Sequence, residues 1–267
     1  MRRASQAATE KIVLKVALII RGFPRKLVGY IRIPQFDAKN KLRIQQSPLL
    51  VSTSQINETG VTMAAASDLV QIAPSLFIWQ VYDPAVKSDL FCSAILTAEG
   101  ILLIDPIAIE DTPFSELRRE GRICGIVVTN FNHHRAFAKF AEQFSVPIFA
   151  RRETFPDKTP RQFNELVDGD KICDELQVIG IESAGPGEIA LHYAPNGGTL
   201  IVGDALINFE PYGFTFLPAK YCSNAKEMRR SLRKLLSYKA DRMLFAHGLP
   251  ILSGASDRLQ RLLDGDL

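Results

Sequence analysis

Thr129-Asn130-Phe131-Asn132-His133-His134-Arg135 follows directly on the apolar run Cys124-Gly125-Ile126-Val127-Val128. Polar residues that emerge at the end of a buried strand sit beside loops that can shape a cavity, which is where open sheets build their sites. Two amides, two imidazoles and a guanidinium crowd this one turn. It reads as a metal-binding turn in which most of the ligands have been exchanged.

Around the turn the sequence alternates between strand and helix patterns. Before it, Leu76 to Tyr82 and Leu90 to Thr97 are rich in β-branched and aromatic residues, with Asp83-Pro84 as a turn between them, and Gly100 admits Ile101 to Ile104. Three consecutive strands predict an antiparallel meander. Asp111-Thr112-Pro113 then predicts a helix with Asp111 as its cap and proline in the first turn.

After the turn, Ala136 to Phe144 carries Phe137, Phe140, Ala141 and Phe144 on one helical face, and Val146 to Phe149 reads as a strand. The second half repeats the rhythm. Leu176 to Ser183, Glu188 to Tyr193 and Thr199 to Val202 are strands, and Pro195-Asn196-Gly197-Gly198 turns the last two into a hairpin. Lys226 to Tyr238 has helical spacing, Arg242 to Ala246 is a strand, and Ser256 to Leu263 closes as a helix.

Two further strand ends carry polar residues, Gly203-Asp204 and Ala246-His247-Gly248. A zinc or iron site needs neutral imidazoles and carboxylates converging within about 2.0–2.2 Å of the ion. His134, Asp204 and His247 supply a minimal set if the strand ends lie side by side. The plain alternative is a histidine capping a helix, an aspartate satisfying turn amides and a histidine at a loop start. His192 alternates with Leu191 and Tyr193 and reads as a surface imidazole, and Asp105 as a fastener of the turn after its strand.

The order of these marks resembles the metallo-β-lactamase superfamily, whose members include glyoxalase II, lactonases and certain nucleases. The resemblance covers residues 70 to 265. It rests on Leu102-Leu103-Ile104-Asp105, the Thr129 turn, Gly-Thr-Leu-Ile-Val-Gly-Asp at 198–204 and Ala-His-Gly at 246–248. It implies an α/β fold, an αββα sandwich of two mixed sheets flanked by helices. It also implies hydrolysis of an ester, thioester, lactam or phosphodiester with metal assistance.

In that family the turn reads Thr-His-x-His-x-Asp-His. Here Asn130 and Asn132 stand at the two histidine positions, His134 at the aspartate and Arg135 at the last histidine, while Ala184 replaces a downstream histidine. Asp204 and His247 match without change. The resemblance thus implies a dismantled first metal position. The second is held by His134, Asp204 and His247, giving either no cofactor or one divalent ion of zinc, iron or manganese. The permanent charge of Arg135 opposes such an ion by ~4 kcal/mol per unit charge at an effective dielectric near 20, and pairing it with Asp204 makes Arg135 a stand-in for the metal. Three functions stay open: a one-metal hydrolase of esters, thioesters or lactones; a metal-free protein whose Asn130, Asn132 and Arg135 bind a small anionic ligand; or an interaction protein whose basic residues 1–62 recruit nucleic acid.

Composition frames these readings. With 46% hydrophobic and 23% charged residues the bulk is globular. Residues 1–62 hold 11 Lys and Arg against 3 Asp and Glu, leaving 21 basic and 26 acidic residues in 63–267. The chain is therefore expected to divide into a flexible basic extension, 1–62, and one domain, 63–267. The apolar run Val16 to Ile20 is far short of the ~20 residues a membrane span needs and no cleavage pattern follows it, so a cytoplasmic protein is expected. The mildly acidic body offers no patch for nucleic acid, and a small-molecule ligand is the expected partner. Cys92, Cys124, Cys173 and Cys222 form no Cys-x-x-Cys pair and read as reduced core or surface residues.

Overall fold

In a computed structural model, residues 64–84, 87–209 and 211–265 are described. So is the backbone of four short strands, Pro34–Phe36, Leu42–Ile44, Gln55–Ile56 and Thr62–Met63. The side chains of the expected extension, 1–62, lie outside the described residues. Contacts divide the chain into units 1–53 and 54–267. In the first, Pro34–Phe36 pairs antiparallel with Leu42–Ile44.

Seven strands of the larger unit form one sheet in simple chain order. They are β1 (Val70–Ala73), β2 (Leu76–Asp83), β3 (Ser88–Thr97), β4 (Gly100–Ile104), β5 (Ile123–Val127), β6 (Ile148–Ala150) and β7 (Phe163–Glu165). The pairs from β1 to β4 are antiparallel, so the expected three-stranded meander has β1 as a fourth strand. The pairs from β4 to β7 are parallel. Helices α1 (Asp111–Glu120) and α2 (Phe137–Phe144) supply the first two of these crossovers, as parallel strands require.

The second sheet runs β8 (Lys171–Ile172), β9 (Leu176–Gly180), β10 (Ile189–Tyr193), β11 (Thr199–Val202), β14 (Arg242–Phe245). Only the β11–β14 pair is parallel. Between these two strands the chain makes a separate hairpin, β12 (Leu206–Phe209) with β13 (Gly213–Phe216), and helix α3 (Ala225–Leu232). Helix α4 (Ala255–Asp264) follows β14.

Period-two alternation builds three apolar layers from these strands. Leu76, Ile78, Leu102 and Ile104 face Val178, Leu191, Ile201 and Leu244 between the sheets. Phe77, Trp79, Ile101 and Leu103 turn outward to Phe114, Leu117 and Phe140 of α1 and α2. Leu200, Val202, Met243 and Phe245 turn the other way, to Met228, Leu232, Leu259 and Leu262 of α3 and α4. The result is the expected αββα sandwich, with both sheets buried on both faces.

Three local expectations change. Asp111 is the first helical residue rather than the cap: Glu110 precedes the helix in extended conformation without a capping bond, and Asp111 places its charge at the positive end of the helix dipole. The helix expected over Lys226 to Tyr238 is α-helical only to Leu232 and continues as a tighter 3-10 turn, Arg233–Ser237, which buries Leu235. His192 is half-buried, and its Nε2 lies 3.0 Å from the Lys239 carbonyl. All four cysteines are free thiols. No helix among the described residues is long and apolar enough to cross a membrane.

Candidate metal centre

The ends of β4, β5, β11 and β14 meet at one edge of the sandwich, and the polar residues that follow them converge there. Asp105 follows β4 with φ 49°, a left-handed conformation that asparagine and aspartate tolerate better than most residues. Its carboxylate crosses to the neighbouring turn, where Oδ1 accepts the Thr129 N–H at 2.8 Å and Oδ2 accepts the Thr129 hydroxyl. Asp105 therefore fastens the turn after β5 as well as ending its own strand.

The turn then folds into one 3-10 turn, Phe131–His133, capped by Asn130, whose Oδ1 accepts the Asn132 N–H at 2.8 Å. This tight turn decides which imidazole enters the site. His133 is buried: its Nδ1 lies 2.9 Å from Asp105 Oδ2 and its Nε2 3.1 Å from Asp204 Oδ1. His134 points away, with Nε2 2.8 Å from the Thr154 carbonyl and its ring stacked on Phe155 at 4.6 Å. The expected cluster of His134, Asp204 and His247 is thus corrected by one residue, because successive residues of the turn project to opposite sides.

His247 completes the group, its Nε2 3.4 Å from the same Asp204 oxygen. The ligand atoms of His133, Asp204 and His247 all lie within 4.8 Å of one another. Tetrahedral ligands about 2.1 Å from a zinc ion stand about 3.4 Å apart, so the two short edges already have the spacing an ion requires. Asp105 lies behind His133 as the carboxylate that holds Nδ1–H and leaves Nε2 to face the centre, the usual support of a metal-bound imidazole. The donor set fits one divalent ion.

Charge in the cluster is balanced internally. Burial alone would lower His133, but Asp204 and Asp105 raise it to about 9, so an ion would be held there only as that proton leaves. Burial would raise both aspartates, yet His133 holds each below the ordinary carboxylate range. His247 is pushed down to about 4, first by burial and then by Arg135 and His133 against the pull of Asp204, so it presents a neutral ring.

Arg135 does not pair with Asp204. Its Nη1 donates to the Phe91 carbonyl at 2.6 Å and to the Asp105 carbonyl at 3.2 Å, and Nη2 donates to the Ala246 carbonyl at 3.3 Å. The guanidinium is a backbone clamp beside the cluster, not a stand-in for an ion within it.

A sequence model of the metallo-β-lactamase superfamily matches residues 70–265. The chain belongs to the metallo-β-lactamase superfamily. Among solved structures it is similar to DIM-1 metallo-β-lactamase, with 12% identity over 75% of this chain and 98% of that one and a TM-score of 0.59. It is similar also to a metallo-β-lactamase from Pontibacter korlensis, with 16% identity over 72% and 98% of the two chains and a TM-score of 0.55. A metallo-β-lactamase family protein from Thermus thermophilus shares 19% identity over 73% and 80%, with a TM-score of 0.55. At these identities the likeness shows the fold alone. No curated protein matches the chain.

Within this metallo-β-lactamase fold Glu188 joins His133 as a residue new to the site. Glu188 is fully buried at the start of β10, with Oε2 accepting Asn130 Nδ2 at 2.6 Å and Oε1 accepting the Ala205 N–H at 2.9 Å. Burial pushes it up to about 8, with the Asp204 charge adding to the rise, while the Ala205 and Asn130 donors favour the ionised form. In sequence Glu188 reads as an ordinary polar start to a strand. The signal it carries is the Gly185-Pro186-Gly187 loop before it, which turns the chain back into the site. Asn132, the other amide of the turn, is exposed and donates from Nδ2 to Asp204 Oδ2 at 3.3 Å.

A pocket of about 500 Å³ opens beside the turn, walled by Phe131, Arg152, Glu153, Pro156 and Pro186. Phe131 is the turn residue between the two asparagines, and its N–H donates to the Pro186 carbonyl at 3.0 Å.

Proposed function

We propose that this protein is a hydrolase of esters, thioesters or lactones that works with a single divalent ion held by His133, Asp204 and His247. The observation that carries the reading is the convergence of those three ligand atoms within 4.8 Å, with Asp105 supporting His133 from behind. Membership of a hydrolase lineage supports it. The ion, when bound, would act as a Lewis acid toward a scissile carbonyl and toward water.

The chain's own residues do the remaining work. Asp105 and Thr129 fix the His133 ring so that Nε2 faces the centre. Asn132 holds the second oxygen of Asp204, leaving Oδ1 directed at the two imidazoles. The pocket beside Phe131, within the 300–1,000 Å³ range of small-molecule sites, has Phe131, Pro156 and Pro186 in its wall and adjoins the turn that carries His133.

The alternative, a metal-free protein that binds a small anion through Asn130, Asn132 and Arg135, has less support. Asn130 is taken by Glu188 and Arg135 by three carbonyls, which leaves Asn132 alone of the three facing the cluster. Metal content separates the readings. Protein loaded with zinc, manganese or iron and then desalted should keep close to one ion per chain, and Asp204→Ala should keep none. If the parent protein retains no ion, the hydrolase reading fails.

A further inference from the structure

Asp204 is held from two directions, and both lead back to Glu188. On one side Glu188 Oε1 accepts the N–H of Ala205, the residue that follows Asp204. On the other, Oε2 accepts Asn130 Nδ2, Asn130 Oδ1 accepts the Asn132 N–H, and Asn132 Nδ2 donates to Asp204 Oδ2. The hydrogen bonds close a ring that begins at the Glu188 carboxyl and reaches Asp204 once through its backbone and once through its side chain. We propose that Glu188 is the positioning residue of the candidate metal centre, orienting Asp204 so that Oδ1 is presented between His133 and His247.

Two further observations fit a built seat for this carboxyl group. A Cβ at Gly203 would stand 2.8 Å from Glu188 Oε1 and 3.2 Å from Asn130 Nδ2, so the absence of a side chain there makes the room the ring occupies. Glu188 is also fully buried without a cation within salt-bridge distance among the described residues, a costly arrangement in which both oxygens must be satisfied by donors. Both are, one donor to each oxygen. Glu188 touches neither imidazole of the trio by hydrogen bond, and its hydrogen-bonded route to the cluster ends on Asp204.

The inference rests on His133, Asp204 and His247 being a metal site, and the test separates the two ideas. Glu188→Gln keeps the volume but replaces one acceptor with an amide donor, which breaks one arm of the ring. Adding Asn130→Asp reverses the pair: the new carboxylate accepts from the introduced side-chain amide and from the Asn132 N–H, while the carbonyl oxygen of that amide still accepts from Ala205. Zinc affinity is measured by titration calorimetry above the Glu188 pKa. It should fall 10–100-fold in Glu188→Gln, the usual size of an effect one shell out from the metal, and return to within about threefold of the parent in the double variant. Parent-like affinity in Glu188→Gln, or no recovery in a double variant that melts cooperatively, would overturn the proposal.

Should the parent bind no zinc, the metal reading fails and the ring is judged in the metal-free protein. The Asn132 side-chain amide resonances should then move in Glu188→Gln and return in the double variant. If they do not move, Glu188 does not position Asp204.

Discussion

Arg135 ties His247 to the opposite sheet through the backbone just before it: Nη2 donates to the Ala246 carbonyl, while Nη1 of the same guanidinium holds the Phe91 carbonyl on β3. The Phe91 N–H donates to that same Ala246 oxygen at 2.9 Å. Two sheets whose facing layers are apolar are thus joined by hydrogen bonds at the floor of the site. Arg135 adopts φ 39° to make this reach.

Lysine cannot reproduce the fork, because its ammonium is a single point of charge on a flexible stem. Arg135→Lys should therefore lose at least one of the carbonyl partners and cost about 1–3 kcal/mol of unfolding free energy, the range for a part-buried polar group left unpaired. Urea denaturation measures it. A midpoint unchanged from the parent would mean the clamp contributes nothing to stability.

The two adjacent histidines should behave differently. His133→Ala removes a ring that touches Asp105 and Asp204, so metal retention is expected to vanish. His134→Ala removes a stacked ring and a bond to the Thr154 carbonyl, so it should cost roughly 1–2 kcal/mol of stability and leave retention at one ion per chain. Retention lost in His134→Ala but kept in His133→Ala would contradict the geometry. Measuring ion content after desalting decides between them.

This pair also shows where sequence reading stops. The strands around the site are legible because buried parallel and mixed sheets write themselves as apolar runs, and Ile101 to Ile104 or Thr199 to Val202 admit little else. Asp204 and His247 are legible because each ends such a run. The choice between His133 and His134 depends on how tightly the turn coils after Asn130, and no periodicity fixes that in a seven-residue loop. Charge alone points Arg135 at Asp204, whereas the nearest acceptors along its path are carbonyls of strand ends that sequence does not bring together. Glu188 is not legible as a site residue because its partners, Asn130 and Ala205, lie 58 and 17 residues away.

One surface carboxylate gives a pH-dependent prediction. Asp168 is partly buried, which raises it, but the Gly180 N–H at 2.9 Å and the Lys234 ammonium at 2.9 Å outweigh this and hold it below its ordinary value. A depressed carboxyl stabilises the fold above its unfolded-state pKa, near 3.9, and that contribution is lost as pH falls through the lower folded value. Its side chain is 52% exposed, so screening keeps the ionic part below about 1 kcal/mol. Asp168→Asn should therefore be slightly less stable than the parent at neutral pH, and the gap should narrow below about pH 4. A gap that widens on acidification would reverse the assigned sign.

Gly203→Ala tests the packing around the ring without replacing any of its polar side chains. The new methyl would stand 2.8 Å from both Glu188 Oε1 and Thr129 Oγ1, closer than real methyl contacts come. Neither neighbour can yield cheaply. Glu188 is pinned by Asn130 and Ala205, and Thr129 by Asp105 and His133. Gly203 does not have a positive φ, so the backbone itself would accept alanine and the cost is purely steric. Overpacking of this kind costs about 1–3 kcal/mol. Because the displaced groups are those that orient His133 and Asp204, zinc affinity should fall with it, by about tenfold or more. Urea unfolding and zinc titration on the same preparation should show both losses together. A variant destabilised to this extent but with parent-like zinc affinity would show that the clash is absorbed away from the metal ligands.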